Sequence, residues 1–220
     1  MGGFALAAPL AVLATEGKSA EVLAVEDLMR EHGVLRRALL VYAEAADRLR
    51  RGQAIPVDAL HRTAELFRRF CEDYHERSLE EPHVFPAVAA AGGPAAATCR
   101  ILAEQHRRGR QITGYILATS AGGGVGQSAR APLAAVLAGM VRMYEHHAAI
   151  EDTVVFPAWK RTLSATRYGE LSERFEALER RMFGRDGFED AVARIAHIEQ
   201  AFGLADLAVL TAAPPPAAAR

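Results

Sequence analysis

The chain has 220 residues, with 26 basic against 27 acidic side chains and a formal net charge of −1. That length allows one substantial domain with an appendage, and the balanced charge argues against a nucleic-acid surface or a solvating acidic tail. Two cysteines, Cys71 and Cys99, supply neither a disulfide framework nor a CxxC metal knuckle; both read as small buried hydrophobes, with Cys71 one helical turn before a histidine.

Residues 1–24 contain the apolar stretch GGFALAAPLAVLAT, which resembles the core of a secretory signal but lacks a basic lead-in and is too short to span a bilayer. It reads as a signal remnant or an extra hydrophobic helix. The chain is accordingly expected in the cytoplasm, with export as the alternative, and no other stretch approaches a membrane span.

Four long helices follow. Val25 to Arg51 carries Leu28, Leu35, Leu39, Leu40 and Ala43 at helical spacing, with Gly52 as its stop. Val57 to about Ala91 starts after Pro56 and closes at Gly92-Gly93-Pro94. A third helix is expected from Ala95 to about Ala121, and a fourth from near Pro132 to Trp159. Alternating strand patterns of useful length are missing. The fold class is therefore all-α: an antiparallel up-down four-helix bundle over residues 25–162, whose sites lie on inward faces. Residues 163–211 supply extra C-terminal helices, Leu163 to Phe183 and Phe188 to Phe202, which read as structural or as an oligomer contact such as a homodimer. Residues 212–220, rich in Ala and Pro, read as a frayed tail.

Each bundle helix carries a histidine in its interior: His32, His75, His106 and the pair His146/His147. A short motif also occurs twice. HERSLEEPHVFP at residues 75–86 aligns without a gap on HHAAIEDTVVFP at 146–157, matching His75 with His146, Glu80 with Glu151 and both Val-Phe-Pro endings. Buried carboxylates and imidazoles need partners, and in a bundle core a metal satisfies several at once.

Helical phase then sorts the candidates. Positions four apart lie roughly 40° apart on an α-helix, so His147 and Glu151 share a side, whereas His146, five from Glu151, is turned away by roughly 140°. In the first copy the same arithmetic selects Glu76 with Glu80 and leaves His75 off the face. A π-bulge would absorb the extra residue and bring His75 back into line, and Pro82, which lacks an amide hydrogen, favours irregularity there. Both His75 and Glu76 therefore stand as candidates. Nitrogen and oxygen donors without thiolate suit iron, ahead of manganese or zinc.

The isolated histidine in REHGVL (30–35), the motif EExxxFP (80–86), a third histidine in EQHRRG (104–109) and HxxxEDxxxFP (147–157) together resemble the hemerythrin-like (HHE) cation-binding domains over roughly Glu26 to Trp159. The stretch FGRDGFEDAV is also similar to tails of some bacterial members. The resemblance implies a four-helix bundle around two iron ions, oxo- or hydroxo-bridged. His32, His75, His106 and His147 would be imidazole ligands, Glu80 and Glu151 the bridging carboxylates, and Glu76 a terminal carboxylate in place of an imidazole. The His-to-Glu spacing of five in the first motif departs from the commoner four. An added carboxylate stabilises ferric iron, which argues against simple oxygen carriage.

The functional expectation is a non-haem di-iron protein that binds or reduces a small oxidant, dioxygen, hydrogen peroxide or nitric oxide, in the manner of a peroxidase or NO-peroxidase. The alternative is an oxygen- or iron-sensing or storage module without turnover. Tyr42, Tyr74, Tyr115, Tyr144 and Glu81 are candidates to tune the centre. His61 is expected at the surface and His197 as structural or exposed, and His83 shares the face of Glu76 and Glu80 on an ideal helix.

Overall fold

The computed structural model describes residues 22–216 except Arg185. The apolar N-terminal stretch and residues 217–220 lie outside the described residues. Among those described, the structure is all-helical, without strands. Six continuous helices run in chain order: α1 (Ala24–Arg50), α2 (57–91), α3 (Pro94–Ser120), α4 (127–161), α5 (Ala165–Phe183) and α6 (Gly187–Phe202). The first four form the bundle, with α1 packed on α4, α2 on α3 and α3 on α4.

The punctuation follows backbone chemistry. Gly92 and Gly93, at φ 75° and 78°, turn the chain between α2 and α3 in a region that disfavours side chains, and Pro94 opens α3 where no amide is needed. Helix α4 begins at Gln127, earlier than the expected start near Pro132. Pro132 falls in its second turn, where a missing amide forfeits a single backbone hydrogen bond.

Helix α2 is the irregular element. After an α-helical start at Val57–Leu66 it winds as a π-helix over Phe67–Val84 and returns to α geometry at Phe85–Ala91. Bonds from residue i+5 to residue i place side chains five apart on one face. Ser78 joins the pattern, its hydroxyl donating to the carbonyl of Asp73 at 2.8 Å, and Pro82 sits where an α-helical amide would be required. Helix α4 has a shorter π stretch, Glu151–Val155.

The C-terminal helices are built into the bundle. Leu23 offers α1 no side-chain cap. Instead the amides of Ala24 and Val25 donate to Ser172 Oγ (2.9 Å) and Tyr168 Oη (3.0 Å) of α5, satisfying orphan groups at the start of α1. Phe175 of α5 stacks on the buried Trp159 of α4, centroids 5.9 Å apart. Helix α6 lies against α1 and α2, where Arg37 forks onto Glu199. Ser164 and Asp186 cap α5 and α6. Among the described residues no helix is long and apolar enough to cross a membrane.

Candidate metal centre

His32 on α1, His75 on the π segment of α2, His106 on α3 and His147 on α4 meet in the bundle interior, all at most 2% exposed. Their inner nitrogens pair. His32 Nε2 faces His75 Nε2 at 3.1 Å, and His106 Nε2 faces His147 Nε2 at 3.0 Å. Two carboxylates run between the pairs. Glu80 points Oε1 at His75 (3.2 Å) and Oε2 at His106 (3.4 Å), while Glu151 Oε2 lies 3.0 Å from His147 and 3.4 Å from His32.

The two copies of the motif reach this geometry by different windings. His147 and Glu151 meet at four-residue spacing on an α-helix, as their phase predicts, and His146 is exposed. His75 and Glu80 meet at five-residue spacing because α2 is π-helical there. The extra residue that distinguishes HERSLE from HAAIE is therefore taken up by the backbone.

Each outer nitrogen has its own acceptor. Asp152 holds His32 Nδ1 at 2.7 Å, Glu31 holds His75 at 2.5 Å, Glu81 holds His106 at 3.0 Å and Gln105 Oε1 holds His147 at 2.9 Å. With Nδ1–H donating outward, a neutral imidazole presents its Nε2 lone pair inward, so each inner pair sets two lone pairs face to face. A shared proton could satisfy one such pair, but it leaves the carboxylates unserved. All four oxygens of Glu80 and Glu151 are buried without a hydrogen-bond partner. Orphaned carboxylates at this depth are costly, and a cation with several coordination positions satisfies them together with the four nitrogens. The donor set thus fits metal, in two overlapping groups: His32, His75 and Glu80, and Glu80, His106, His147 and Glu151.

The electrostatics agree. Burial opposes ionisation of Glu80, yet His75 and His106 hold its carboxyl well below the usual range; burial and the charge of Glu80 likewise oppose that of Glu151, but His147 and His32 keep it low. In the other direction, burial disfavours charge on His75 and His106, but Glu80 and Glu31 raise the first and Glu76, Glu80 and Glu81 push the second up to about 10. The carboxylates favour positive charge in the pocket, either a proton on His75 or His106 or a metal ion that displaces it.

Glu76 is placed differently from the expectation that it joins the donors. Its Oε1 accepts from Tyr144 Oη at 2.7 Å and its Oε2 from Arg110 Nη1 at 3.0 Å, and it approaches His106 only at the outer nitrogen, 3.9 Å away. Because π winding delivers His75 to the interior, the adjacent residue is rotated off that face. Glu76 instead closes a smaller group with Glu81 and His106, to which Arg110 already supplies positive charge, and burial pushes its carboxyl up to about 7.

Of the other tuning candidates, Tyr144 lies 5.2 Å from the His147 ring and Glu81 holds His106. Tyr42 packs against Phe67, Tyr74 against Phe70 and Phe183, and Tyr115 is exposed. His83 turns to Phe175 of α5, away from the interior. His61 bonds Ser120, and His197 is exposed. Glu31, Gln105 and Asp152 escaped the sequence reading as partners of the imidazoles. A signal exists: Glu31 and Gln105 each precede a site histidine, and Glu81 and Asp152 each follow a site glutamate. Each of the latter pair crosses to the histidine of the opposite half, a relation that only the packed bundle creates.

The hemerythrin HHE cation-binding domain model matches residues 23–159. Uncharacterized proteins of Mycobacterium bovis and Mycobacterium tuberculosis are 45% identical over 198 residues, covering 90% of this chain and 77% of theirs. No solved structure matches.

Proposed function

The chain belongs to the hemerythrin HHE cation-binding family, and we propose that it is a non-haem di-iron protein in which residues 25–162 form the metal-binding unit and residues 163–211 brace it. Membership implies metal binding, typically of iron, and the His/Glu clusters fit a metal site. The observation that carries the reading further is the double set of paired Nε2 atoms joined by two carboxylates with no other partner. In this reading His32 and His75 would hold one ion and His106 and His147 the other, with Glu80 and Glu151 as the carboxylates that both would share.

Bound there, two iron ions would supply electrons for binding or reducing a small oxidant such as dioxygen, hydrogen peroxide or nitric oxide. The protein's own groups set the conditions. Asp152, Glu31, Glu81 and Gln105 orient the imidazoles by accepting from their outer nitrogens, and the negative charge of the three carboxylates raises ligand basicity. Phe156 stacked on His32 and Phe85 stacked on His106 limit water around the donors. Tyr144 Oη keeps a proton beside His147, directed at Glu76. Glu76 belongs in this reading to the supporting groups, its two oxygens committed to Tyr144 and Arg110.

Anaerobic reconstitution with ferrous iron, manganese or zinc, followed by metal analysis of tag-free protein, tests the proposal. Two iron ions per chain are expected. Substoichiometric uptake of all three metals would sink it. Steady consumption of peroxide or nitric oxide by the iron form, in place of a spectrum that merely reverses on degassing, separates turnover from binding alone.

A further inference from the structure

Outside the ring of donors, a cavity of about 420 Å³ opens between the end of α2 and the first half of α3. Its walls are apolar, formed by Phe85, Pro86, Ala89, Ala96 and Ala103, and its mouth carries Arg100, Arg107 and Arg110. The volume lies in the range of small-molecule sites, roughly 300–1,000 Å³. Its inner wall is the back of the metal centre: the Phe85 ring stacks on the His106 ring at 5.3 Å and 23°.

The charges are unequally spent. Arg110 is committed to Glu76 and Glu81, and Glu81, the acidic residue of the lining, is neutralised by Arg110 (2.9 Å) and by its bond to His106 (3.0 Å). Arg107 pairs with Glu104, but both side chains are more than half exposed, where such a pair is held weakly. Arg100 is exposed and has no charged partner among the described residues. The buried Cys99 adds no negative charge to the floor, because burial and then the field of Glu151 push its thiol up to about 11. An apolar slot with one guanidinium unpaired among the described residues, Arg100, and one held only by an exposed pair, Arg107, complements a ligand with an apolar ring and one negative charge.

We infer that this cavity is a binding site for a small organic anion, an aromatic carboxylate of one or two rings, seated with its ring against Phe85 and Pro86 and its carboxylate between Arg100 and Arg107. The ligand would rest one ring away from His106, so its occupancy would be felt at the centre.

Calorimetric titration of 2-naphthoate into metal-free and metal-loaded protein tests this, with 2-naphthalenemethanol as the uncharged control. Metal-free protein is included so that failure of the metal reading leaves the test standing. One molecule of naphthoate per chain is expected, with the alcohol about tenfold weaker or more. Arg100→Ala/Arg107→Ala should weaken naphthoate about tenfold or more, through loss of the charge-assisted contacts to its carboxylate, and leave the alcohol unchanged. Ala103→Trp, which fills the slot while leaving both arginines in the chain, should abolish binding of both while the far-ultraviolet dichroism stays that of the parent. Equal affinity for acid and alcohol, naphthoate binding that survives Ala103→Trp, or no heat at millimolar naphthoate would each overturn the inference.

Discussion

Replacing Gly109 by alanine tests how tightly the tyrosine beside the metal centre is held. A β-carbon at position 109 would lie 2.0 Å from Tyr144 Oη and 2.8 Å from its Cζ, well inside contact distance. Tyr144 has nowhere to go: it is fully buried, edge-on to Phe67 at 5.1 Å, beside His147 at 5.2 Å, and bonded to Glu76 at 2.7 Å. Overpacking at such a site costs about 1–3 kcal/mol, and loss of the bond to Glu76 adds roughly 1.5–3 kcal/mol. Alanine in mid-helix returns about 1 kcal/mol through helix propensity. The net expectation is a loss of about 1.5–5 kcal/mol, or roughly 3–20 °C in Tm for a chain of this size. Urea unfolding of the metal-free protein measures it. The double variant Gly109→Ala/Tyr144→Phe removes the shortest contact and should recover about 1 kcal/mol relative to the sum of the single changes. A Gly109→Ala protein as stable as the parent, or a cycle with no coupling, refutes the close-packing argument.

Three further predictions concern the centre and its surroundings. His147→Ala, His106→Ala and Glu151→Ala should each strongly reduce bound iron by metal analysis, whereas the exposed His146→Ala should retain it; equal losses at 146 and 147 would contradict the phase argument. Asp152→Asn should lower metal affinity by about 10- to 100-fold in competition with a chelator, the usual cost of losing the partner of a ligating imidazole; unchanged affinity would deny it that role. Asp27, at the start of α1, has its carboxyl raised to about 7 by burial and then by Glu31 and Glu179. Its folded-state pKa exceeds the unfolded value of 3.8, so the folded state binds more protons between the two and stability falls as pH rises from about 4 to 7. Asp27→Asn, which cannot ionise, should therefore be more stable than the parent at pH 8, by up to about 4 kcal/mol, and nearly equal to it at pH 4. Chemical denaturation at the two pH values reads the difference, and a variant less stable at pH 8 would reverse the sign.

Much of this arrangement was legible in the chain, and the limits of that legibility follow from physics. Hydrophobic periodicity and the stops at Gly52 and Gly92-Gly93 outlined the helices, because these signals act within a few residues. Pro132 misled, since a proline tolerated in an early turn was read as a helix start. The phase of His147 against Glu151 and the exposure of His146 followed from residue spacing on one α-helix. At HERSLEEP the same arithmetic left His75 and Glu76 undecided, because it cannot tell how a backbone will wind.

The sequence by itself determined that four helices would each bring an imidazole, two of them with a carboxylate, and that no thiolate framework would compete. Tertiary structure decided the rest. Packing selected π winding over Phe67–Val84, which sent His75 inward and gave Glu76 to Tyr144 and Arg110. It also carried Asp152 to His32 and Glu81 to His106, partners that lie 120 and 25 residues apart in the chain. Spacing along a helix is a local property that a sequence displays directly, whereas the choice between windings and the pairing of distant side chains depends on the summed burial and charge of the assembled bundle.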